Sequence, residues 1–374
     1  AGVYTSPHLE SIRERYLLMG PRKTGGRGFL TWEEISQEEF ADTVGYLQPF
    51  VELVERRGET VTYFELATAV AFEWMAVKSV GVAVVEAGLG GSWDATNILN
   101  PQVATLTKVG VDHREFLGNT PLENAREKVG IIKYGARVVV GHQEEEVLAL
   151  VEETARGLGA PVASLGREFR LVSEGGALSG RTFALETGRA LYDDLFVPLH
   201  GAHQSANAAV AVAACEEFLD GALHIDTLRA GLAAVRCPGR MEVIREEPLV
   251  VLDGAHNPDG AGVLGPALAE CFGERRRTFV ISIFADKDVD GILQRLLPHA
   301  DRVIFTRSSS PRASDPHSLA ASSAVSRAVE VVPSLPDAIE AALVTAAPEE
   351  MVVVTGSLFA VGEARRHLLG PGSA

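Results

Sequence analysis

Short runs of β-branched and other apolar residues alternate along the chain with longer stretches that are rich in Ala and Leu. Such short runs are typical of strands buried on both faces, and the longer stretches are typical of helices that cover them. The pattern therefore predicts an α/β fold with a mostly parallel sheet and helices on both faces. The predicted strands span residues 81–88, 102–110, 136–141, 249–254, 278–285, 302–306 and 351–357.

Two stretches depart from this alternation. Residues 167–199 contain Gly-rich segments with alternating polarity, which predict a small antiparallel excursion inside the first domain. A predicted helix ends near Val235, and Pro238 and Gly239 then interrupt the chain before a new series of strands and helices begins. We therefore predict one domain over residues 1–236 and a smaller, Rossmann-like domain over residues 237–374.

Charge and composition narrow the class of protein. The 374 residues carry a formal net charge of -16, which argues against non-specific binding to nucleic acid or to a membrane surface. No apolar run is long enough and uncharged enough to span a bilayer. The three cysteines are isolated and no secretory signal is present, which favours a reducing cytoplasm. We expect small-molecule ligands and a cytoplasmic location.

Polar side chains follow several of the predicted strands. Glu86, Asp253 and His113 lie at such strand ends, and ligands of open α/β sheets bind beyond the carboxyl ends of strands. Ser6 and Pro7 follow a strand ending at Tyr4 and are predicted to begin a helix, with Ser6 as N-cap. The Ser6 hydroxyl, Glu86 and His113 together would hold a magnesium ion or position a water molecule. The alternatives are a plain helix cap for Ser6 and a hydrogen-bonded structural role for His113.

A glycine-rich turn, EAGLGGSWDATN, occupies residues 86–97. Its glycines permit a close approach of the backbone to a ligand, but Trp93 breaks the G-x-G-x-x-G pattern of dinucleotide-binding loops. A plain glycine loop remains the alternative. Further along, Lys128 is either a solvated charge at a helix end or a site residue, and Asn207 is either a cap or a ligand contact.

Ten short segments then appear in one order along nearly the whole chain, and together they resemble the folylpolyglutamate synthase and dihydrofolate synthase family of the Mur ligase superfamily. They are YTSPHL (4–9), TYFELATAVAF (62–72), EAGLGGSWDATN (86–97), DH with FLGNT (112–120), EKVGIIK (127–133), HQSANA (203–208), PGRMEV (238–243), DGAHNPDG (253–260), ADKD (285–288) and TGSLF (355–359).

The resemblance implies an ATP-dependent ligase that joins L-glutamate to a folate, or to dihydropteroate. It implies that ATP phosphorylates a substrate carboxylate and that the glutamate amine attacks the resulting acyl phosphate. Because phosphoryl transfer depends on positioning and on cations, bound magnesium would supply the positive charge that this acidic chain lacks. The family also implies a monomer and an N-terminal ATPase domain of the P-loop type.

Site residues carried over from the resemblance fall into three groups. The first comprises the ligands of magnesium, with two ions implied, which are Ser6, Glu86 and His113, and the catalytic residues, which are His113 and Lys128. Lys128 is similar to a family lysine that forms a carbamate with carbon dioxide. The second contacts ATP: Asn207, Arg240, Asp253 and His256. The third matches the pterin-side pocket: Phe64, Glu65, Trp93, Asp94 and Ala95.

One departure from the family is large. The family's phosphate loop should precede YTSPHL, yet no G-x-x-x-x-G-K-[ST] sequence occurs in the 374 residues. We therefore expect that the first strand–loop–helix unit of the ATPase domain is missing from this chain, which would be inactive as it stands. The alternatives are an inactive folate- or partner-binding protein and another Mur-type amino-acid ligase.

Overall fold

The structure is a computed structural model that describes residues 1–21, 30–111, 117–177, 179–322 and 328–370. It contains two compact units, Ala1–Asn100 with Glu127–Ile131, and Pro101–Arg126 with Ile132–Ala374. The strands are β1 (Gly2–Tyr4), β2 (Tyr16–Pro21), β3 (Leu30–Glu34), β4 (Ala83–Val85), β5 (Val103–Leu106), β6 (Arg137–Val140), β7 (Val162–Ser164), β8 (Arg170–Ala177), β9 (Gly180–Glu186), β10 (Leu191–Val197), β11 (Glu242–Glu246), β12 (Leu249–Asp253), β13 (Arg277–Ile281), β14 (Arg302–Arg307), β15 (Ala328–Ser334) and β16 (Met351–Thr355). The helices are α1 (Gln37–Glu55), α2 (Tyr63–Val77), α3 (Pro121–Lys128), α4 (Glu145–Gly157), α5 (His203–Leu219), α6 (Ile225–Ala233), α7 (Pro258–Phe272), α8 (Val289–Leu296), α9 (Pro316–Ser322), α10 (Leu335–Thr345) and α11 (Leu358–Leu369).

The first unit is built on a four-stranded sheet in the order β3-β2-β1-β4. Strand β1 runs parallel to β4 and antiparallel to β2, so that Tyr4 lies opposite both Val85 and Tyr16. Helix α2 contributes Val70 and Trp74 to the buried cluster that contains the two tyrosines. The residues that follow β1 and β4 therefore leave the sheet side by side.

The helix predicted to begin at Ser6 and Pro7 is wrong, although the strand ending at Tyr4 is confirmed. The first helical turn is a 3-10 helix over Ile12–Arg15, with Ser11 as its N-cap. The Glu14 side chain accepts a hydrogen bond from the Ser11 amide at 2.6 Å and completes a capping box. Because this box fixes the start of the helix, Ser6 lies in the connection that follows β1.

The N-terminal part of the second unit contains two small sheets. Strands β5, β6 and β7 form a parallel sheet, and α5 packs against β5 and β6. Strands β8, β9 and β10 form an antiparallel sheet, which confirms the excursion predicted over residues 167–199. Val139, Phe183, Leu195 and Val210 belong to one buried cluster that joins both sheets to α5.

The C-terminal part of the second unit is a six-stranded sheet in the order β11-β12-β16-β13-β14-β15, with β11 antiparallel at one edge and the other pairs parallel. Every residue of β12, β13 and β16 is buried. Helices α7 and α8 pack on one face through residues such as Leu264 and Ile292. The register places Asp253 and Ile281 on either side of Thr355, so that these strands end together.

The predicted α/β fold is confirmed, and each predicted strand is observed with shifted ends. The strand predicted over 81–88 ends at Val85 because the amide of Gly88 donates to a side chain of the following loop rather than to a strand. The strand predicted over 102–110 ends at Leu106, and the Val109 amide likewise donates to a side chain. No helix within the described ranges is long and apolar enough to cross a membrane.

Candidate active site

The loop after β4 is organised by Asp94, which is 7% exposed. Its Oδ2 accepts hydrogen bonds from the amides of Gly88 and Leu89 at 2.9 and 2.8 Å. Its Oδ1 accepts from the Thr96 amide at 2.9 Å and from the Thr96 hydroxyl at 2.6 Å, at the start of the 3-10 helix Ala95–Ile98. Both carboxylate oxygens are therefore engaged in shaping the loop.

The same loop packs tightly against the end of α3. A Cβ atom at Gly91 would lie 2.5 Å from the carbonyl oxygen of Glu127 and 2.8 Å from that of Lys128. A Cβ atom at Gly130 would lie 2.2 Å from the Ser92 hydroxyl oxygen, and the Ser92 amide donates to the Glu127 carbonyl at 3.0 Å. Only glycine permits such a close approach. The loop thus holds the backbone that carries the half-buried Lys128.

Ser6 and Glu86 meet at the ends of the neighbouring strands β1 and β4. The Ser6 amide donates to Glu86 Oε2 at 2.8 Å. Ser6 is half-buried and Glu86 is exposed, whereas His113 lies outside the described residues. Where the structure describes the chain, no group of three or more His, Cys, Asp and Glu side chains is placed to hold a metal ion. Two of the three predicted magnesium ligands are thus adjacent, and the third stays a prediction.

Phe64 and Glu65 lie in the first turn of α2. A Cβ atom at Gly88 would lie 2.3 Å from the Phe64 ring, whose centroid is 6.2 Å from that of Tyr4. Glu65 Oε2 accepts hydrogen bonds from the amide and the hydroxyl of Thr62, both at 2.7 Å, and these bonds lower the pKa of the Glu65 carboxyl. Phe64 therefore covers the glycine loop, while Glu65 caps its own helix.

The two remaining pterin-side candidates flank Asp94. Trp93 is 57% exposed, and Ala95 is half-buried at the start of a 3-10 helix. The five predicted residues thus come from two elements, the first turn of α2 and the loop after β4. These elements meet where Phe64 contacts Gly88.

Asp253 ends β12 in the second unit and is 9% exposed. Its two oxygens accept hydrogen bonds from the amides of Ala255 at 2.8 Å and Met241 at 2.9 Å. Burial raises the pKa of this carboxyl, against the opposing effects of the two amides and of Arg240. A Cβ atom at Gly254 would lie 2.9 Å from Arg240 Nη1, so glycine leaves room for the guanidinium beside the strand end.

The start of α5 lies near the same arginine. The pKa of His203 is lowered by burial and then by the charge of Arg240. Asn207 follows on α5 and is exposed, and His256 Nδ1 lies 2.8 Å from the carbonyl oxygen of Gly254. Arg240 therefore interacts both with the start of α5 and with the end of β12, the two elements that carry the predicted ATP contacts.

Three hydroxyl groups near the carboxyl edge of the six-stranded sheet were not selected by sequence reasoning. They belong to Thr306, Ser308 and Thr355, and each oxygen is buried without a hydrogen-bond partner among the described residues. Buried hydroxyls in folded proteins bond to protein, water or ligand, so this edge has unused hydrogen-bonding capacity. No motif signals it, because isolated Ser and Thr residues are common in and after strands.

Comparisons with known proteins place these features in context. Residues 239–358 match the family described as Mur ligase, glutamate ligase domain. The chain is 36% identical to the dihydrofolate synthase/folylpolyglutamate synthase of Mycobacterium tuberculosis, over 97% of this chain and 79% of that protein. It is 33% identical to the protein of that name from Bacillus subtilis, over 98% of this chain and 84% of that one. The crystal structure of the M. tuberculosis folylpolyglutamate synthase complexed with ADP and AMPPCP is similar with a TM-score of 0.89 at 36% identity, covering 98% of this chain and 84% of that chain.

Proposed function

Because this chain belongs to the dihydrofolate synthase/folylpolyglutamate synthase family, we propose that it is an ATP-dependent ligase that joins L-glutamate to the γ-carboxylate of tetrahydrofolate. The observation that carries the proposal is the 36% identity to the M. tuberculosis enzyme over 97% of the chain. Since the relatives are named dihydrofolate synthases as well, the proposal extends to dihydropteroate as a second acceptor.

The proposed reaction has two steps. An oxygen of the acceptor carboxylate attacks the γ-phosphorus of ATP, the bond to the bridging oxygen breaks, and ADP leaves. The amino nitrogen of glutamate then attacks the acyl carbon, the bond between that carbon and the phosphate oxygen breaks, and inorganic phosphate and a proton are released. Such chemistry asks the protein mainly to position its substrates and to supply positive charge.

ATP is proposed to contact Asn207, Arg240, Asp253 and His256. The proximity of Arg240 to Asp253 and to the start of α5 supports this assignment. A guanidinium matches the geometry of phosphate oxygens, and a strand-end carboxylate is suited to accept a hydrogen bond from a ribose hydroxyl. The nucleotide named in the M. tuberculosis complexes is consistent with such a site.

Ser6, Glu86 and His113 are proposed to hold magnesium, and the chemistry of the donors that the structure brings together fits that ion. A hydroxyl and a carboxylate oxygen are ligands that Mg²⁺ accepts, and the 2.8 Å hydrogen bond from Ser6 to Glu86 keeps the two residues adjacent. Magnesium, when bound, stabilises negative charge on phosphate oxygens. A carbamate on Lys128 would replace its positive charge by a negative one and so favour a second ion.

The pterin-side pocket is proposed to comprise Phe64, Glu65, Trp93, Asp94 and Ala95. The contact between Phe64 and the glycine loop and the exposure of the Trp93 ring support it, since planar rings bind well against aromatic side chains. In the structure Glu65 and Asp94 bond to backbone amides, so we assign them the shaping of the pocket.

The boundary between the ATPase and glutamate-ligase domains at residues 236 and 237 stays a proposal. It is supported by the family match that begins at residue 239 and by the six-stranded sheet, whose first strand begins at Glu242. A monomeric state and a cytoplasmic location are likewise proposed.

The proposal is tested on the full gene product, including any coding residues upstream of Ala1. ADP release is measured with ATP, magnesium, tetrahydrofolate and glutamate, omitting each component in turn, and the product is weighed by mass spectrometry. Release that requires every component, with a product one glutamyl residue heavier, supports the ligase. Folate binding without turnover would favour an inactive binding protein, and turnover only with a cell-wall nucleotide would favour another Mur-type ligase.

A variant pair localises the nucleotide site. Arg240→Gln is expected to raise the KM for ATP about 10-fold or more, because hydrogen bonds to charged groups are among the stronger ones in proteins. Arg236→Gln is the matched control, since its exposed guanidinium donates to the carbonyls of Ala233 and Val235. Equal KM values for the two variants would contradict the assignment of Arg240.

A further inference from the structure

Arg15 is a buried cation, and its partners among the described residues are neutral. It closes the 3-10 helix Ile12–Arg15 and is 6% exposed. Its Nε donates to His8 Nδ1 at 2.9 Å, which requires that imidazole nitrogen to be unprotonated. Its guanidinium carbon lies 5.6 Å from the ring centroid of Tyr63, and it also interacts with the Tyr4 hydroxyl.

Two carboxylates of the same unit, Glu14 and Asp94, have other partners. Glu14, the sequence neighbour of Arg15, accepts from the backbone amides of Leu9, Glu10 and Ser11 at 2.8, 2.9 and 2.6 Å. The two oxygens of the Asp94 carboxylate accept hydrogen bonds from three amides and one hydroxyl of its own loop. Arg15 therefore makes no ion pair with any residue that the structure describes.

Other buried arginines among the described residues lie beside a glutamate or at the C-terminal end of a helix. Arg181 pairs with two glutamates, and Arg365 pairs with Glu242 at 3.0 Å. Arg277 donates to the carbonyl of Gly273 at the C-terminal end of α7, where the helix dipole is negative. A buried charge with neither kind of partner is costly, so an anionic or strongly polar partner from outside the protein is the simplest reason to keep one.

The surroundings of Arg15 point to the same pocket as the pterin-side residues. Tyr63, which covers the guanidinium, directly precedes Phe64 on α2 and is 58% exposed. The Tyr4 side chain, whose hydroxyl interacts with Arg15, also has its ring 6.2 Å from the Phe64 ring. The guanidinium thus lies under an exposed aromatic side chain, beside the residue that covers the glycine loop.

We propose that Arg15 is a substrate-binding residue whose guanidinium donates hydrogen bonds to an oxygen acceptor of the bound folate, with the Tyr63 ring packed over the contact. This inference rests on the proposed function. Two oxygens of a folate have the required chemistry, the carbonyl of the pterin ring and the α-carboxylate of a glutamate already attached. Dihydropteroate carries the first and lacks the second, so the two acceptor substrates distinguish them.

The test compares Arg15→Gln, Arg15→Lys and wild type in the full gene product, with Arg13→Gln as the matched control. Arg13 lies on the same 3-10 helix and pairs with Glu34, and both side chains are half-buried. KM and kcat are measured with dihydropteroate and with tetrahydrofolate, and chemical unfolding is followed for each variant. Arg15→Gln is expected to raise the KM for the acceptor about 10- to 100-fold, with kcat less affected and Arg15→Lys in between, because a charge-assisted hydrogen bond is lost.

If the KM of Arg15→Gln rises for both acceptors, Arg15 contacts the pterin carbonyl. If the KM rises for tetrahydrofolate alone, Arg15 contacts the α-carboxylate. A KM within about twofold of wild type for both acceptors, in a variant that unfolds like wild type, overturns the role of Arg15. If Arg15→Gln does not fold, the KM of Arg15→Lys is compared with that of wild type for both acceptors, and the same outcomes support or overturn the role of Arg15. A wild-type protein that turns over neither acceptor contradicts the proposed function instead.

Discussion

Replacing Gly91 by alanine tests whether the glycine loop positions Lys128. The new methyl group would lie 2.5 Å from the carbonyl oxygen of Glu127, and 2.8 and 3.0 Å from the carbonyl oxygen and Cα of Lys128. An ordinary van der Waals contact begins at 3.4 Å, so the two backbone segments must separate by about 0.9 Å. All three contacts are with backbone atoms, so a side-chain rotation cannot relieve them.

The displacement predicts two measurable losses. Forcing a methyl group into a packed contact costs about 1–3 kcal/mol of unfolding free energy. A shift of about 1 Å in a group of the reaction site costs up to about 100-fold in rate, so kcat is expected to fall by one to two orders of magnitude. Because Lys128 is proposed to act with the magnesium site and not to contact the acceptor, the KM for folate should change less than kcat.

The assay measures urea unfolding and the initial rate of ADP release on the full gene product. Gly81→Ala is the matched control. Gly81 lies ten positions before Gly91, and a Cβ atom there would meet nothing within 4 Å. The control should behave like wild type in both measurements. A Gly91→Ala protein that unfolds at the wild-type urea concentration and keeps the wild-type kcat would refute the role of the loop.

Three further outcomes concern polar and charged side chains. Asp94→Asn replaces an acceptor oxygen by a donor and leaves backbone amides of the glycine loop unpaired, so urea unfolding should show a loss of about 1–3 kcal/mol. Arg181→Met removes a buried guanidinium that pairs with the partly exposed Glu174 and Glu270, and it should cost about 1–3 kcal/mol. Arg170→Met breaks an exposed pair and should cost about 0–1 kcal/mol. Burial and a neighbouring arginine hold the pKa of His203 below its ordinary value, so the unfolded chain takes up this proton at a higher pH than the folded chain. The unfolding free energy should therefore fall as the pH drops below about 6.5, and His203→Gln should weaken this fall; an identical pH profile for the variant and wild type would contradict the assignment.

The central strands of the C-terminal sheet could be predicted because burial on both faces demands a continuous apolar run. The strands over 249–253 and 351–355 are such runs. Strands β2 (YLLMGP) and β3 (LTWEE) were not predicted, because both have a mixed composition. They pair in an antiparallel register that no local pattern of the sequence reveals. The helix start after β1 was misplaced although a signal existed, since Ser11 has a glutamate three positions on and Ser6 does not.

The site could be predicted as far as its residues are close in sequence or at strand ends. Ser6 and Glu86 meet because β1 and β4 are parallel neighbours, which the strand-end argument anticipated. The use of Asp94 by four donors of its own loop depends on backbone geometry that a sequence does not display. The isolation of the Arg15 charge depends on Tyr63 and Tyr4, which only the tertiary fold brings to it.

The most direct test of the central claim follows an oxygen atom through the reaction. The acceptor folate is prepared with ¹⁸O in its γ-carboxylate and incubated with the full gene product, ATP, magnesium and glutamate, and the released phosphate is analysed by mass spectrometry. If the carboxylate is phosphorylated and the glutamate amine then displaces phosphate, each phosphate should carry one ¹⁸O atom. Release of unlabelled phosphate alongside ADP would contradict the ligase mechanism, because it would show that ATP is hydrolysed by water without activation of the acceptor.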